Sequence, residues 1–367
     1  MNVPMADLKA QYQSIRRDID DAVHAVMENS RFILGDNVGK LEEEISQYCG
    51  AAYGVGVNSG TDALLLALSA LGVGRGDEVI TTPFTFVATV EVIALLGATP
   101  VFADIDPATY NLDPTRVEEK ITSKTKVIMP VHLYGQTADV KRLTEIAKKH
   151  DLRLVCDGAQ AIGAECDGKP IGVYGDITTL SFFPTKNLGG AGDGGMVLTN
   201  DTEIAEKVRC LRFHGSGGVY SYKLMGYCSR LDEIQAAILK VKLPHLDGWT
   251  TMRRNHADFY RSTLSDLDLA LPVEVEGCKH VYHQFTVRCS DRDGLRAHLQ
   301  ANGVSTGIYY PYPLHLEEAY RYLGSKEGDQ PEAERASHEV ISLPIVPELS
   351  EEQMAHTVQS IRSFFGK

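Results

Sequence analysis

Between about residues 54 and 200 the chain alternates two hydrophobic rhythms. Short runs rich in β-branched residues read as strands: Val55–Val57, Glu78–Thr81, Pro100–Asp104, Lys126–His132, Arg153–Asp157, Ile177–Phe182 and Met196–Thr199. Between them lie stretches with apolar residues at helical spacing: Thr61–Leu71, Phe86–Leu96 and Ala138–His150. Asp113 caps a further helix, with Pro114 in its first turn, where a missing N–H costs nothing. Strands that alternate with helices predict an α/β fold, a mostly parallel seven-stranded sheet covered on both faces.

After about residue 245 the rhythm changes. Val281–Arg288 alternates like a strand with one wet face, and Asp291 is placed to cap a helix that ends at Gly303. Val304–Tyr310 reads as another strand, and Ser350 with Gln353 forms a capping box that opens the last helix. The pattern predicts a large domain over residues 1–245, beginning with a helical segment, and a smaller C-terminal α+β domain over 246–367. Residues 1 to 50 hold two acidic helical patterns. No Gly/Ser linker interrupts Lys240–Arg254, so a continuous helix is expected to bridge the two domains.

Length agrees with two domains, since 367 residues exceed what one compact core usually holds. The net charge of -13 argues against a nucleic-acid surface, which needs a basic patch. An anionic ligand must therefore be held by a few local donors. No apolar run approaches the roughly 18 to 20 residues that span a bilayer, and the N-terminus lacks a signal-peptide core. The seven cysteines are scattered without a CxxC pair, and the histidines show no metal-ligand spacing. Neither a metal site nor a disulfide framework is expected, and a reducing cytoplasm fits best.

Three motifs carry candidate chemistry. Asn58-Ser59-Gly60-Thr61-Asp62-Ala63 joins a strand to an apolar helix, and a helix start offers unpaired N–H groups to an anion. Asp157 ends a hydrophobic strand, where open α/β sheets bind ligands; a carboxylate there can pair with a pyridinium nitrogen. Lys186 follows a buried strand in a glycine-rich stretch, and a lysine in an apolar pocket loses its proton readily enough to form a Schiff base. Each motif alone has a plainer reading: a turn, a cap, a surface lysine. Together they compose a pyridoxal-phosphate site. Gly72-Val73-Gly74-Arg75-Gly76 follows a helix and precedes a strand, the wrong order for a dinucleotide loop, and reads as a helix-ending turn.

At these motifs the chain resembles the DegT/DnrJ/StrS-type sugar aminotransferases of aminotransferase fold type I. The likeness runs along nearly the whole chain: Asn58–Leu64, Asp77–Thr89, Gly97–Asp106, Val131–Gln136, Ser181–Gly190 and Ser229–Leu239. The resemblance implies that Lys186 forms the Schiff base, Asp157 contacts the ring nitrogen, Gln160 lies near the ring oxygen and Phe86 stacks on the ring. Gly60, Thr61 and Ser181 would hold the phosphate. It further implies a homodimer with active sites at the interface, where the partner lends the segment around Cys228 to the phosphate. Arg230, Tyr309, Tyr310 and His315 would meet substrate, and His283 would lie near the sugar. Cys228 stands where the family usually has Asn, and Tyr309 where relatives acting on uronic acids often have His. The implied reaction moves an amino group from L-glutamate, through pyridoxamine 5'-phosphate, to a nucleotide-linked keto sugar. The wording of the lysine loop resembles relatives that aminate carbon 3. A carbon-4 sugar or cyclitol aminotransferase, and a non-catalytic pyridoxal-binding regulator, are the alternatives. A sugar dehydratase of the same fold would have His in place of Lys186.

Overall fold

The computed structural model describes residues 1–367. Seven strands form the main sheet: β1 (Tyr53–Val57), β2 (Glu78–Thr81), β3 (Thr99–Phe102), β4 (Thr125–Met129), β5 (Arg153–Asp157), β6 (Ile177–Ser181) and β7 (Gly195–Thr199). They lie in the order β1-β7-β6-β5-β4-β2-β3. Every pair is parallel except those of β7, which runs against both neighbours. The mostly parallel seven-stranded sheet is as the sequence pattern predicts.

Around it lie α1 (Leu8–Ser14), α2 (Arg16–Asn29), α3 (Asp36–Cys49), α4 (Gly60–Ala70), α5 (Ala88–Leu95), α6 (Pro114–Val117), α7 (Val140–Lys149), α8 (Thr202–Leu211) and α9 (Glu233–Lys242). Strand periodicity of two decides which helix each side chain meets. Val55, Val79, Val127, Val155, Ile177 and Val197 share one buried cluster with α4, α5 and α8. Their neighbours Ile80, Ile128, Leu154 and Cys156 pack against α7 on the other face. Leu180, Met196 and Leu198 pack there with α3 and α9. With both faces covered, the strands read as continuous apolar runs.

The sequence pattern gives two N-terminal helices; the structure has three, because the chain breaks at Ile15 between α1 and α2. Helix α3 starts at a glycine cap with no side-chain acceptor of its own. Glu233, the buried first residue of α9, supplies the missing acceptor: its carboxylate takes the amides of Asn37 at 3.0 Å and Val38 at 2.8 Å, and the Asn37 side chain at 3.0 Å. A Cβ on Gly35 would lie 2.7 Å from that carboxyl carbon, so the glycine makes room for the cap.

The remaining elements are α10 (Leu246–Leu264), β8 (Phe285–Arg288), α11 (Arg292–Ala301), α12 (Pro331–Glu339), β9 (Val340–Leu343) and α13 (Glu351–Phe364). Strands β8 and β9 pair antiparallel and share a core with α10, α11 and α13. Val3 joins that core and bridges to Val304, so the N-terminus packs on late residues of the chain. Asp291 caps α11, and Ser350 with Gln353 closes the expected capping box on α13. Three expectations fail for identifiable reasons. The helix expected across Lys240–Arg254 breaks at a 3-10 turn, Leu243–His245, where Pro244 has no N–H to continue it. Val304–Tyr310 is no strand: its single bridges, Val304 to Val3 and Gly307 to Ser342, go to different neighbours, so no ladder forms. Within Val281–Arg288 only Phe285 onward is strand, and Phe285, Thr286 and Val287 are all buried, so the wet face is absent. The amides of Val281 and Gln284 instead bond to the carbonyls of Gly135 and Tyr134.

Glu233→Ala is expected to uncap α3 and lower stability by about 1.5 to 3 kcal/mol, the usual worth of hydrogen bonds to a charged group. The midpoint of urea unfolding measures it. An unchanged midpoint would show that water caps α3 equally well.

Candidate active site

The ends of β1, β2, β5 and β6 open into one cavity of about 450 Å³. It lies beyond the C-terminal strand ends, where an open α/β sheet leaves room for ligands. The connection from β1 turns at Ser59, whose hydroxyl accepts from the Asp62 amide at 3.0 Å and so starts α4. The first amides of the helix, at Gly60 and Thr61, have no acceptor within it and lie at the cavity wall. Ile177, Thr179 and Ser181 alternate with Leu180, so Ser181 faces α4. The approach is close: a Cβ on Gly60 would stand 2.6 Å from that of Ser181. Only glycine fits, and the result is a shallow cradle of two amides and one hydroxyl.

Asp157 shares the face of Val155, the one covered by α5. There the Thr89 hydroxyl donates to one carboxylate oxygen at 2.8 Å, and the Ala159 amide to the other at 3.1 Å. Thr85 shares a hydrogen bond of 3.1 Å with Thr89 and steadies it. Asp157 is only 5% exposed, yet it takes part in no salt bridge. Burial therefore raises its pKa above the usual range, with the two donors and Lys186 opposing.

Lys186 sits in a loop that closes on itself: its amide bonds to the Phe183 carbonyl, and that of Gly190 to Phe182, both at 2.8 Å. Gly189 has no room for a side chain, since a Cβ would meet the Pro184 oxygen at 2.2 Å. Buried Lys242 donates to the Gly189 carbonyl at 2.6 Å, and Gln235 accepts from the Ala191 amide at 2.8 Å. Helix α9 thus holds the loop from behind. Lys186 itself is half-buried in the cavity, and desolvation pushes its ammonium down to about 8, against the pull of Asp157.

Over residues 13–362 the chain matches the family model described as the DegT/DnrJ/EryC1/StrS aminotransferase family. The chain belongs to that family. This aminotransferase is 54% identical to a pleiotropic regulatory protein of Geobacillus stearothermophilus, over 100% of this chain and 99% of the relative. It is 46% identical to the UDP-N-acetyl-3-dehydro-alpha-D-glucosamine 3-aminotransferase of Acidithiobacillus ferrooxidans, over 98% and 97%. Its fold is that of S. venezuelae DesV, solved in complex with a ketimine intermediate: TM-score 0.98, 44% identity, 100% of this chain and 99% of that one. Solved neighbours include pyridoxal- and pyridoxamine-phosphate forms, and the cofactor of the family is pyridoxal 5'-phosphate.

The residues of this aminotransferase fit that cofactor. A helix start stripped of side chains by Gly60 suits a phosphate. A buried carboxylate hydrogen-bonded only to neutral donors suits a pyridinium nitrogen, because those donors and Lys186 offset its desolvation only in part. The Gln160 amide oxygen accepts from the Tyr134 amide at 2.7 Å, and its NH2 donates one N–H to the Tyr310 hydroxyl at 3.1 Å, leaving one N–H for a ligand. Phe86 lines the cavity and is 56% exposed, its ring tilted against that of Tyr310 at 6.4 Å between centroids. Tyr309 and Tyr310 line the same space.

Three of the residues picked out by resemblance lie elsewhere. Cys228 and Arg230 occupy the outward segment after α8, where the guanidinium meets the Cys228 sulfur at 3.0 Å and lies over Phe213. Neither lines the Lys186 cavity of its own chain. Ser229 between them is buried, and its hydroxyl takes the Asn58 amide at 3.4 Å, so it faces inward. His315 does not reach the cavity, which corrects the expectation of a sugar contact. Its ring is 1% exposed, beside Phe102, and bonds to the Glu334 carboxylate at 2.9 Å. The motifs did not single out Thr85, Thr89 or Asn187. The two threonines stand one helical turn apart in an otherwise apolar stretch, and that polar pair was the available signal.

With its pKa near 8, Lys186 of the cofactor-free protein should react with an amine-selective acylating reagent at pH 8 ahead of exposed lysines. Its labelling should rise with pH through that value as the ammonium gives up its proton. Peptide mass spectrometry after brief exposure at pH 6 to 10 measures this. A midpoint near that of the exposed lysines would show that solvent cancels the desolvation.

Proposed function

We propose that this aminotransferase moves an amino group from L-glutamate to carbon 3 of a nucleotide-linked keto sugar, with Lys186 as the catalytic amine. The observation that carries the reading is one cavity holding a lysine of lowered pKa, a buried carboxylate without a salt bridge and an anion-ready helix start. The choice of carbon 3 leans on the likeness to the Acidithiobacillus 3-aminotransferase.

When bound, pyridoxal phosphate supplies the electron sink that makes the donor carbon acidic. The Lys186 amine would serve as the base that takes the proton from that carbon, and its ammonium as the acid that gives it back. A lysine with a pKa of about 8 suits both roles, because both proton forms are populated between about pH 7 and 9, whereas an ordinary lysine is almost wholly ammonium there. Asp157 would pair with the ring nitrogen and keep it protonated, while Thr89 and Ala159 orient the carboxylate. The amides of Gly60 and Thr61 and the Ser181 hydroxyl would hold the phosphate; Phe86 would cover the ring, and the free N–H of Gln160 would meet its oxygen. Tyr309 and Tyr310 would flank substrate.

A homodimer completes this reading. Val219, Tyr220 and Met225 are each at least 90% exposed, on the segment that carries Cys228 and Arg230. Such an apolar surface favours association, and a second copy would present Arg230 to a substrate carboxylate and Cys228 to the phosphate. No helix is long and apolar enough to cross a membrane. Seven free thiols suit the reducing cytoplasm. The regulatory name of the Geobacillus relative motivates a second reading, a cofactor-binding regulator without turnover.

Glutamate with UDP-N-acetyl-3-dehydroglucosamine, or with a dTDP-linked 3-keto-6-deoxy sugar, should give the 3-amino sugar and 2-oxoglutarate, detected by mass spectrometry. Lys186→Ala should bind cofactor and turn over neither substrate. Asp157→Asn should lose at least a hundredfold in the glutamate half-reaction, about 2.7 kcal/mol of barrier. Cofactor binding without turnover of any keto sugar would favour the regulator; unchanged turnover in Lys186→Ala would sink the mechanism. In sedimentation the holoenzyme should run as a dimer, and an active monomer would exclude the shared site.

A further inference from the structure

Asn187 follows Lys186 directly and is buried, 6% exposed. Its side-chain amide lies between two groups of the later chain, the Val281 carbonyl and the His283 ring, each at 3.1 Å. A backbone carbonyl can only accept, so the Asn187 NH2 must face Val281 and its oxygen must face His283. That oxygen also only accepts, which requires a hydrogen on His283 Nδ1. In a neutral ring the other nitrogen, Nε2, is then a bare acceptor. Nε2 has no protein partner and is not sealed in, and His283 lines the Lys186 cavity. The backbone amides of Val281 and Gln284, tied to Gly135 and Tyr134, fix the segment that carries the ring. Burial, with Lys186 nearby, keeps the imidazole well below its ordinary range and so uncharged.

We infer that Asn187 is a positioning residue that locks His283 in the Nδ1-protonated form, and that His283 Nε2 accepts a hydroxyl hydrogen from the sugar substrate. The choice between the two substrates follows from their chemistry. Glutamate brings two carboxylates, which offer no hydrogen to a lone pair, and its amino group is committed to the exchange. The keto sugar brings hydroxyl donors. An uncharged acceptor beside Lys186 therefore adds nothing for the first substrate and recognises the second. The inference rests on the aminotransfer reading and refines it, dividing the cavity's polar groups between the two half-reactions.

Two measurements test it. Ring nitrogen shifts of the 15N-histidine-labelled holoenzyme should show His283 protonated at Nδ1 and bare at Nε2; the opposite tautomer would overturn the inference whatever the activity. The half-reactions are then followed separately by cofactor absorbance, with glutamate and with UDP-N-acetyl-3-dehydroglucosamine or the dTDP-linked 3-keto-6-deoxy sugar. His283→Leu removes the acceptor and should raise the sugar KM by about tenfold more than the glutamate KM, the scale of one hydrogen bond. His283→Gln, whose carbonyl can replace Nε2, should recover most of that difference. Equal losses in both half-reactions, or Gln behaving like Leu, would overturn the assignment. Failure of the wild-type enzyme with glutamate would instead overturn the aminotransfer reading, so the two failures are distinguishable.

Discussion

Asp157 ends β5 on the face that α5 covers, held by two neutral donors and drawn on by the charge of Lys186, with no salt bridge. Taking a carboxylate out of water costs several kcal/mol unless a cation or good hydrogen bonds offset it. One hydroxyl and one amide offset part. The fold accepts the remainder because the cavity beside Asp157 can be filled by a positively charged ring. Thr85 and Thr89 have their place for the same reason, as polar side chains in an apolar stretch turned toward that one carboxylate. Lys186 is strained in the opposite sense, since desolvation favours its amine over its ammonium. The two groups draw each other back toward their charged forms. In the proposed reading a cofactor with a cationic nitrogen and an electrophilic carbon would relieve both, and its binding would stabilise the fold.

Much of this was legible in the amino-acid sequence because strand and helix periods are strict. Seven apolar runs became seven strands, and Arg153–Asp157 matches its predicted bounds. A period of two also places Asp157 and Ser181 on the face of α4 and α5 once Val155 and Ile177 are assigned there. The capping residues at 113, 291 and 350 follow from local chemistry, and nothing distant overrides them. What escaped was decided by contacts far apart in sequence. Glu233 caps a helix that begins 197 residues earlier, at Asp36, and no local pattern announces such a partner. His315 and Tyr309 are both aromatic residues near prolines, yet one is sealed beside Phe102 and the other lines the cavity. The 281–284 segment alternates as a strand should, but its amides go to Gly135 and Tyr134.

Those distant contacts also explain why the site has two parts of different character. Groups set by the main sheet (Gly60, Asp157, Ser181, Lys186) are placed by strand ends and helix starts, whose geometry a single substitution cannot shift far. In the proposed reading they would address the atoms that every such reaction shares, phosphate, ring nitrogen and transferred amine. Groups from later in the chain, His283, Tyr309 and Tyr310, come from irregular segments held by single hydrogen bonds and ring packing. Their backbone conformation depends on Pro311, Pro313 and the ties at residues 134 and 135, so exchanging one side chain there alters what the cavity recognises without disturbing the sheet. Asn187 stands at the junction: its backbone belongs to the lysine loop, while its amide reaches across to Val281 and His283. In the proposed reading, substrate recognition and proton transfer would thereby be adjacent in space but held by different parts of the chain, so that the chemistry could stay fixed while the preferred sugar changes.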